Sequence, residues 1–139
     1  MRVQLAFLSG AMCAALGSPS VATAQQAEFV DLGYLNLSTN GSGSGSAAAM
    51  SADGSVVVGV TSNSDGTLNW SEAFRWTAES GMVALGHLGT HTSGAHNSWA
   101  SSLSADGSVV AGSSSNSDGT LNWYEAFRWT DSDGMVGLG

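Results

Sequence analysis

Three histidines lie close together in the second half of the chain: His87, His91 and His96. Two or three converging imidazoles, often joined by a carboxylate, form common zinc or copper sites. The spacing suits a loop better than a fixed pair of strands. A metal site is therefore a weak hypothesis beside the alternative that a loop has diverged between two repeats, and no metal ligand is predicted.

Asp-Gly pairs follow Asn-Ser at 63–66 and 116–119, and the pattern returns as Asp-Ser-Asp-Gly at 131–134. These strings resemble fragments of calcium-binding loops, but the Glu that supplies two oxygen ligands is missing at the required distance. Asp-Gly between apolar runs is equally a hairpin signal, because Gly adopts positive φ without steric cost. Turn chemistry is the favoured interpretation; calcium stays possible, and no cofactor is predicted.

Five tryptophans offer aromatic rings to a ligand. Trp76 and Trp129 each lie two positions after a Phe and so share its face of a strand, which predicts a place in the core. Trp70, Trp99 and Trp123 lie nearer to turns. These three are the candidates for stacking against a sugar.

Arg75 and Arg128 occur once per repeat, mid-strand, and indicate a structural ion pair or hydrogen bond with Asp53 and Asp106 or with the neighbouring Glu. Glu72 and Glu125 are copies of each other, whereas an active site is normally asymmetric. No Ser/His/Asp arrangement, phosphate loop or catalytic cysteine is recognisable. The sequence predicts no catalytic residue and no enzyme.

The N-terminus has the layout of a signal peptide. A positive start precedes an apolar run from Val3 to Leu16, and Ala22-Thr23-Ala24 provides a cleavage site. The run is shorter than a membrane-spanning helix. We expect residues 1–24 to form a signal-peptide helix that is removed, followed by a β-repeat domain over 25–139 that is extracellular, surface-bound or periplasmic and has no membrane contact after cleavage.

All 11 acidic residues follow Ala24, and the whole chain has a net charge of −8. Such a surface repels nucleic acid and anionic lipid, which are excluded as partners. The single cysteine, Cys13, leaves with the signal, so the domain depends on sheet pairing and packing without a disulfide.

Two near-identical segments dominate the rest of the chain. Ser-Ala-Asp-Gly-Ser-Val-Val at 51–57 and Glu-Ala-Phe-Arg-Trp-Thr at 72–77 recur 53 residues later without a gap. Alternation and turn signals predict four strands per unit, at 82–88, 98–103, 108–113 and 123–130 for the second unit. The predicted fold is all-β, with about two antiparallel, propeller-blade-like, four-stranded units at about 28–80 and about 81–133, and a third begun at 134–139. The signature positions of the repeat are Asp53, Gly54, Phe74, Arg75 and Trp76, and Asp106, Gly107, Phe127, Arg128 and Trp129.

Two blades cannot close a ring, and uncovered edge strands favour association. The alternatives are an oligomer that completes the ring, a truncated product or an open two-sheet domain. A clasp between segments 134–138 and 29–35 is a further option.

From about Glu28 onward, the spaced motifs resemble the HAF-type bacterial extracellular repeat family, in particular Glu-Ala-Phe-Arg-Trp-Thr, Gly-Met-Val-x-Leu-Gly, Ser-Trp-Ala and Ser-Ala-Asp-Gly-Ser-Val-Val. Glu-Ala-Phe stands here in place of the family's His-Ala-Phe, and family members usually carry more repeats, some fused to an autotransporter barrel. The resemblance implies bacterial export and a surface or extracellular role, and no catalytic residue.

These observations together predict a secreted or surface module that binds or adheres without catalysis, its partner an unknown protein or glycan, with homo-oligomers possible. The alternatives are a lectin-like carbohydrate binder or a fragment of a larger extracellular repeat or autotransporter protein. A hydrolase on a propeller scaffold is the least favoured.

Overall fold

A computed structural model describes residues 29–35, 43–94 and 96–139. The predicted signal peptide and its cleavage site lie outside the described residues. Within the described part of the chain, no helix has the length and apolar character needed to cross a membrane.

The described chain is all-β and forms two antiparallel four-stranded sheets, each a simple meander in which neighbours in sequence are neighbours in space. This confirms the predicted fold class of two blade-like units. The first sheet has the order β1-β2-β3-β4 and the second β5-β6-β7-β8. The strands are β1 (Ser44–Met50), β2 (Val56–Ser64), β3 (Asn69–Thr77), β4 (Gly81–Gly86), β5 (Ser98–Leu103), β6 (Val110–Ser117), β7 (Asn122–Thr130) and β8 (Gly134–Gly137).

The first hairpin of each sheet is built around an Asp-Gly pair, as the sequence predicts. Gly54 adopts φ 76° and Gly107 φ 70°, a region that favours Gly over every residue with a side chain. Oδ1 of Asp53 accepts hydrogen bonds from the Ser51 hydroxyl at 2.7 Å and from the Ser55 amide at 3.0 Å. The repeat signature at these positions therefore specifies a turn. The predicted third strand of the second unit begins after this turn, at Val110 rather than at residue 108.

These hydrogen bonds stabilise the ionised carboxylates. The hydroxyl of Ser51 and then the amide of Ser55 lower the pKa of Asp53 from 3.8 to about 2, and Ser104 and Ser108 do the same for Asp106. A lowered pKa means that the folded chain favours the charged form. The stabilisation is thus fully present above pH 3.8 and is lost as the pH falls through about 2.

Replacing both Asp53 and Asp106 with Asn is expected to reduce the loss of melting temperature between pH 4 and pH 2, because two of the groups whose protonation contributes to it are gone. Thermal denaturation followed by circular dichroism across this range measures the effect. Glu79→Gln, which removes one charge from an exposed turn, is the control. An unchanged acid profile in the double variant would contradict this account of the turns.

The main core lies between the two sheets. Val58, Ala73 and Leu85 of the first sheet pack against Ala100, Val110 and Phe127 of the second. Trp129 is partly buried against this cluster, whereas Trp76 is half-buried and lies beside an open cavity near the β3–β4 turn. The predicted core role thus describes Trp129 better than Trp76.

The sheets do not coincide with the units drawn on the sequence. The sequence places residues 81–86 at the start of the second unit, but β4 pairs with β3 from Phe74↔Ala84 to Thr77↔Gly81 and closes the first sheet. In the same way, the predicted third unit at 134–139 supplies β8, which pairs with β7. A repeat has the same period wherever its boundary is drawn, and only the pairing of strands fixes that boundary.

The proposed clasp between the two ends of the domain is wrong. β8 pairs with β7, and the segment 29–34 instead lines a cavity of about 300 Å³ with Gly45, Ser46 and Ala47 of β1 and with Phe74 and Met82.

The predicted partners of the two arginines are also wrong. The Arg75 Nε donates to the carbonyl oxygen of Gly107 at 3.4 Å, and its guanidinium lies 6.0 Å from the centre of the Trp129 ring. Arg128 forms an ion pair of 3.1 Å with Asp133 in its own sheet. Arg75 faces the second sheet, whereas no further sheet lies beside Arg128 in the described part of the chain. The first copy also has Ser80 where the second has Asp133, so Arg75 has no equivalent carboxylate to pair with.

Candidate functional site

The segment 87–97 joins the two sheets and forms hydrogen bonds with strands of both. The Asn97 Oδ1 accepts a hydrogen bond of 2.9 Å from the Ser71 amide in β3. The Asn122 Oδ1 in β7 accepts one of 3.0 Å from the Thr92 amide. The segment therefore lies across the end of the molecule where β3, β5 and β7 begin.

Histidine and aromatic rings collect at this end in two groups. In the first, His96 stacks on His87 with ring centres 4.3 Å apart and contacts Trp70 at 5.0 Å. In the second, Tyr124 contacts Trp99 at 5.4 Å and His91 at 5.8 Å. We call these six residues, with the neighbouring Trp123 of β7, the aromatic end.

The structure separates the three histidines that the metal hypothesis requires together. His87 and His96 share one group of rings, whereas His91 lies against Tyr124 in the other. Nε2 of His91 is buried and has no hydrogen-bond partner among the described residues. No group of three or more His, Cys, Asp or Glu is placed to hold a metal ion within the described ranges.

The Asp-Gly strings considered for calcium form hairpin turns. Oδ1 of Asp65 accepts from the amides of Thr67 and Leu68 at 2.8 and 2.7 Å, and Asp118 repeats this with Thr120 and Leu121. The third string holds Asp133, which pairs with Arg128. The carboxylates therefore serve the backbone and an arginine, in agreement with the turn interpretation.

The repeated glutamates have equivalent local roles in the two sheets. Oε2 of Glu72 accepts from Nδ2 of Asn63 at 2.6 Å, and Oε2 of Glu125 from Nδ2 of Asn116 at 2.8 Å. Oε2 of Glu72 also accepts from Nε1 of Trp70 at 3.3 Å. Each Glu thus orients polar side chains of its own sheet near the aromatic end.

The three tryptophans proposed for sugar stacking all lie at the aromatic end, but they differ in access. Trp123 is 40% exposed, whereas Trp70 and Trp99 are half-buried, each against another ring. Tyr124, which sequence reasoning missed, is 58% exposed. The sequence feature that could have identified Tyr124 is a difference between the repeats: the first copy has Ser71 at the equivalent position.

The histidine pair has a measurable electrostatic signature. Burial first, and then the charge of His96, lower the pKa of His87 below 6.5, and the carboxylate of Glu72 opposes this. The folded chain therefore favours neutral His87, and this preference weakens stability as the pH falls through 6.5 and below.

Replacing His96 with Ala is expected to raise the pKa of His87 towards 6.5, because it removes a covering ring and a like charge. Glu72→Gln is expected to shift the pKa in the opposite direction. Titration of the imidazole proton resonances by NMR measures both. If His96→Ala leaves the His87 titration unchanged, the two rings are not stacked in solution.

Comparisons of the chain with protein-family models, with curated proteins and with solved structures find no match.

Proposed function

We propose that this chain is an exported, non-catalytic binding module for a surface or extracellular ligand and that the ligand contacts the aromatic end. Export rests on the signal-peptide layout of residues 1–24 and on the resemblance to HAF-type repeats. The acidic composition favours a neutral or cationic ligand over an anionic one.

One observation carries the location of the site: the two near-identical copies differ where the aromatic end is built. Trp99, Tyr124 and His87 replace Ser46, Ser71 and Tyr34 of the first copy. The repeated residues that support the sheets, such as Phe74 and Phe127, stay the same. A module with two equal scaffolds and one distinct end has one binding site rather than two.

A carbohydrate is the second candidate ligand. The exposed ring of Tyr124 lies on the same face of β7 as Asn122, which also contacts Thr92. The exposed ring of Trp123 projects from the opposite face. Aromatic faces beside amide and hydroxyl groups are suited to the apolar and hydroxyl faces of a sugar.

The test is a binding screen of the mature chain against purified polysaccharides and immobilised extracellular proteins. For each ligand found, Tyr124→Ala is expected to weaken binding about tenfold, a loss of about 1.4 kcal/mol. Tyr34→Ala is the matched control, because Tyr34 is 51% exposed and lies away from the aromatic end. Equal losses in both variants would place the ligand elsewhere. Turnover in a hydrolase screen, abolished in His91→Ala or His96→Ala, would replace the proposal by the hydrolase alternative.

A further inference from the structure

The internal interface between the two sheets is made by residues that occur twice in the chain. Val56, Val58, Ala73 and Leu85 of the first sheet are 0–5% exposed, because the second sheet covers them. Their copies, 53 positions later, are Val109, Ala111, Ala126 and Leu138. We call these four residues the trailing face of the second sheet.

The trailing face is uncovered in the described structure. Leu138 is 61% exposed, Ala126 is exposed, and Val109 and Ala111 are half-buried. The second sheet thus presents the same kind of apolar surface that the first sheet buries completely.

The complementary surface also occurs twice. The second sheet meets the first with Ala100, Val110 and Phe127, whose copies in the first sheet are Ala47, Val57 and Phe74. We call these three copies the leading face. Ala47 is exposed and Val57 is half-buried, and both belong to a sheet whose other side is already occupied.

The segment 29–34 shows how the leading face receives a partner. Leu32, the copy of Leu85, lies with Phe74 and Ala47 around the 300 Å³ cavity, just as Leu85 packs with Phe127 and Ala100 in the core. The segment covers the face only in part, since Phe29 is 99% and Val30 53% exposed. The segment lies on the leading face where β4 lies on the second sheet. The positions that correspond to the other strands of the first sheet stay uncovered.

We propose that the trailing face of one copy of this chain docks on the leading face of a second copy, repeating the interface between the two sheets. Leu138 of one copy takes the place of Leu32 in the other, and the segment 29–34 is displaced. Within the chain, the second sheet covers the first. The first sheet of another copy has the same kind of surface as that second sheet, because the two sheets are near-identical, and it can therefore cover the trailing face.

Polar groups at the edge of the interface support the same pairing. Within the chain, the Ala52 amide donates to the Ala105 carbonyl at 2.9 Å, and Arg75 reaches Gly107 and Trp129. Between two copies, Arg128 would exchange its exposed ion pair with Asp133 for the carbonyl of Gly54 and the ring of Trp76. Such an interface is heterologous, so it joins copies head to tail, into a ring where the rotation between copies closes and into an open assembly where it does not.

Light scattering after size exclusion, over a range of concentrations of the mature chain, tests the proposal. We expect a mass above that of the monomer that rises with concentration, and tighter assembly as salt screens the repulsion between the acidic copies. A monomer at every concentration and salt level would overturn the proposal.

Two variants block one face each: Leu138→Asp the trailing face and Ala47→Glu the leading face. Both residues are exposed, so the fold, checked by circular dichroism, should persist. Each variant alone is expected to be a monomer, and an equal mixture of the two is expected to form a particle of twice the monomer mass, since one intact face of each kind remains. Leu121→Asp, at a residue 66% exposed outside both faces, is the control and should assemble as the wild type does. A mixture that stays monomeric, or a control that also dissociates, would show that the assembly does not use these faces.

Discussion

Phe127→Ala is expected to lower the free energy of unfolding by about 3–5 kcal/mol, the range for removing a buried phenyl ring. Phe127 is 0% exposed and packs between the sheets with Leu85, Ala100 and Val110. The surrounding backbone can fill the space only in part, because each sheet is stiffened by its own hydrogen bonds. Ser98 also ties the sheets together, since its hydroxyl accepts from the Ala73 amide and donates to the Gly86 carbonyl.

Denaturation with guanidinium chloride, analysed by linear extrapolation, measures this loss. Phe74→Ala is the informative comparison, because Phe74 stands in the same hexapeptide and is 1% exposed. We expect a smaller loss there, since Phe74 lies outside the cluster between the sheets and is covered by the open segment 29–34. Equal losses would mean that the segment covers Phe74 as firmly as a sheet covers Phe127.

Gly112→Ala is expected to cost about 3 kcal/mol, the upper end of the range for overpacking. Its Cβ would collide with the carbonyl oxygen of Trp99 and lie 2.8 Å from the ring of Phe127. The neighbouring strand β5 carries a bulge between Ala100 and Ser102, just beyond the pair Ala100↔Gly112, so its backbone approaches Gly112 closely. The expected result in a thermal scan is a melting temperature lower by roughly 10 °C or more.

Gly45→Ala is the matched control for this variant. Gly45 also lies in a strand, but its Cβ would meet nothing nearer than 3.7 Å and its φ is not positive. We therefore expect a change within about 0.5 kcal/mol, as for ordinary surface positions. A stable Gly112→Ala protein would contradict the close approach of β5 and β6.

Much of this structure follows from the sequence because the relevant interactions are local. The Asp-Gly pairs at 53–54 and 106–107 specify tight turns through the Asp side chain and the positive φ of Gly. Alternation in Glu-Ala-Phe-Arg-Trp-Thr places both phenylalanines on a buried face. The repeat of 53 residues then predicts two equivalent all-β units before any tertiary contact is known.

The partners of the candidate site residues could not be predicted in this way. The three histidines are neighbours in sequence, yet His91 lies with Tyr124 while His87 and His96 stack near Trp70, because the path of the joining segment is set by Asn97 and Asn122. Both anchors are long-range contacts without a local signal.

The sequence by itself determined the strands, the turns and the period of the repeat, since each depends on residues that are close along the chain. Tertiary structure decided which copy of a repeated residue is buried and which partner it has. Arg75 and Arg128 show this most clearly: the same motif reaches Gly107 across the sheets in one copy and Asp133 within the sheet in the other. The shared hexapeptide carries the same local preferences in both copies. The environments differ because a second sheet lies beside Arg75, and because Asp133 stands beside Arg128 where the first copy has Ser80.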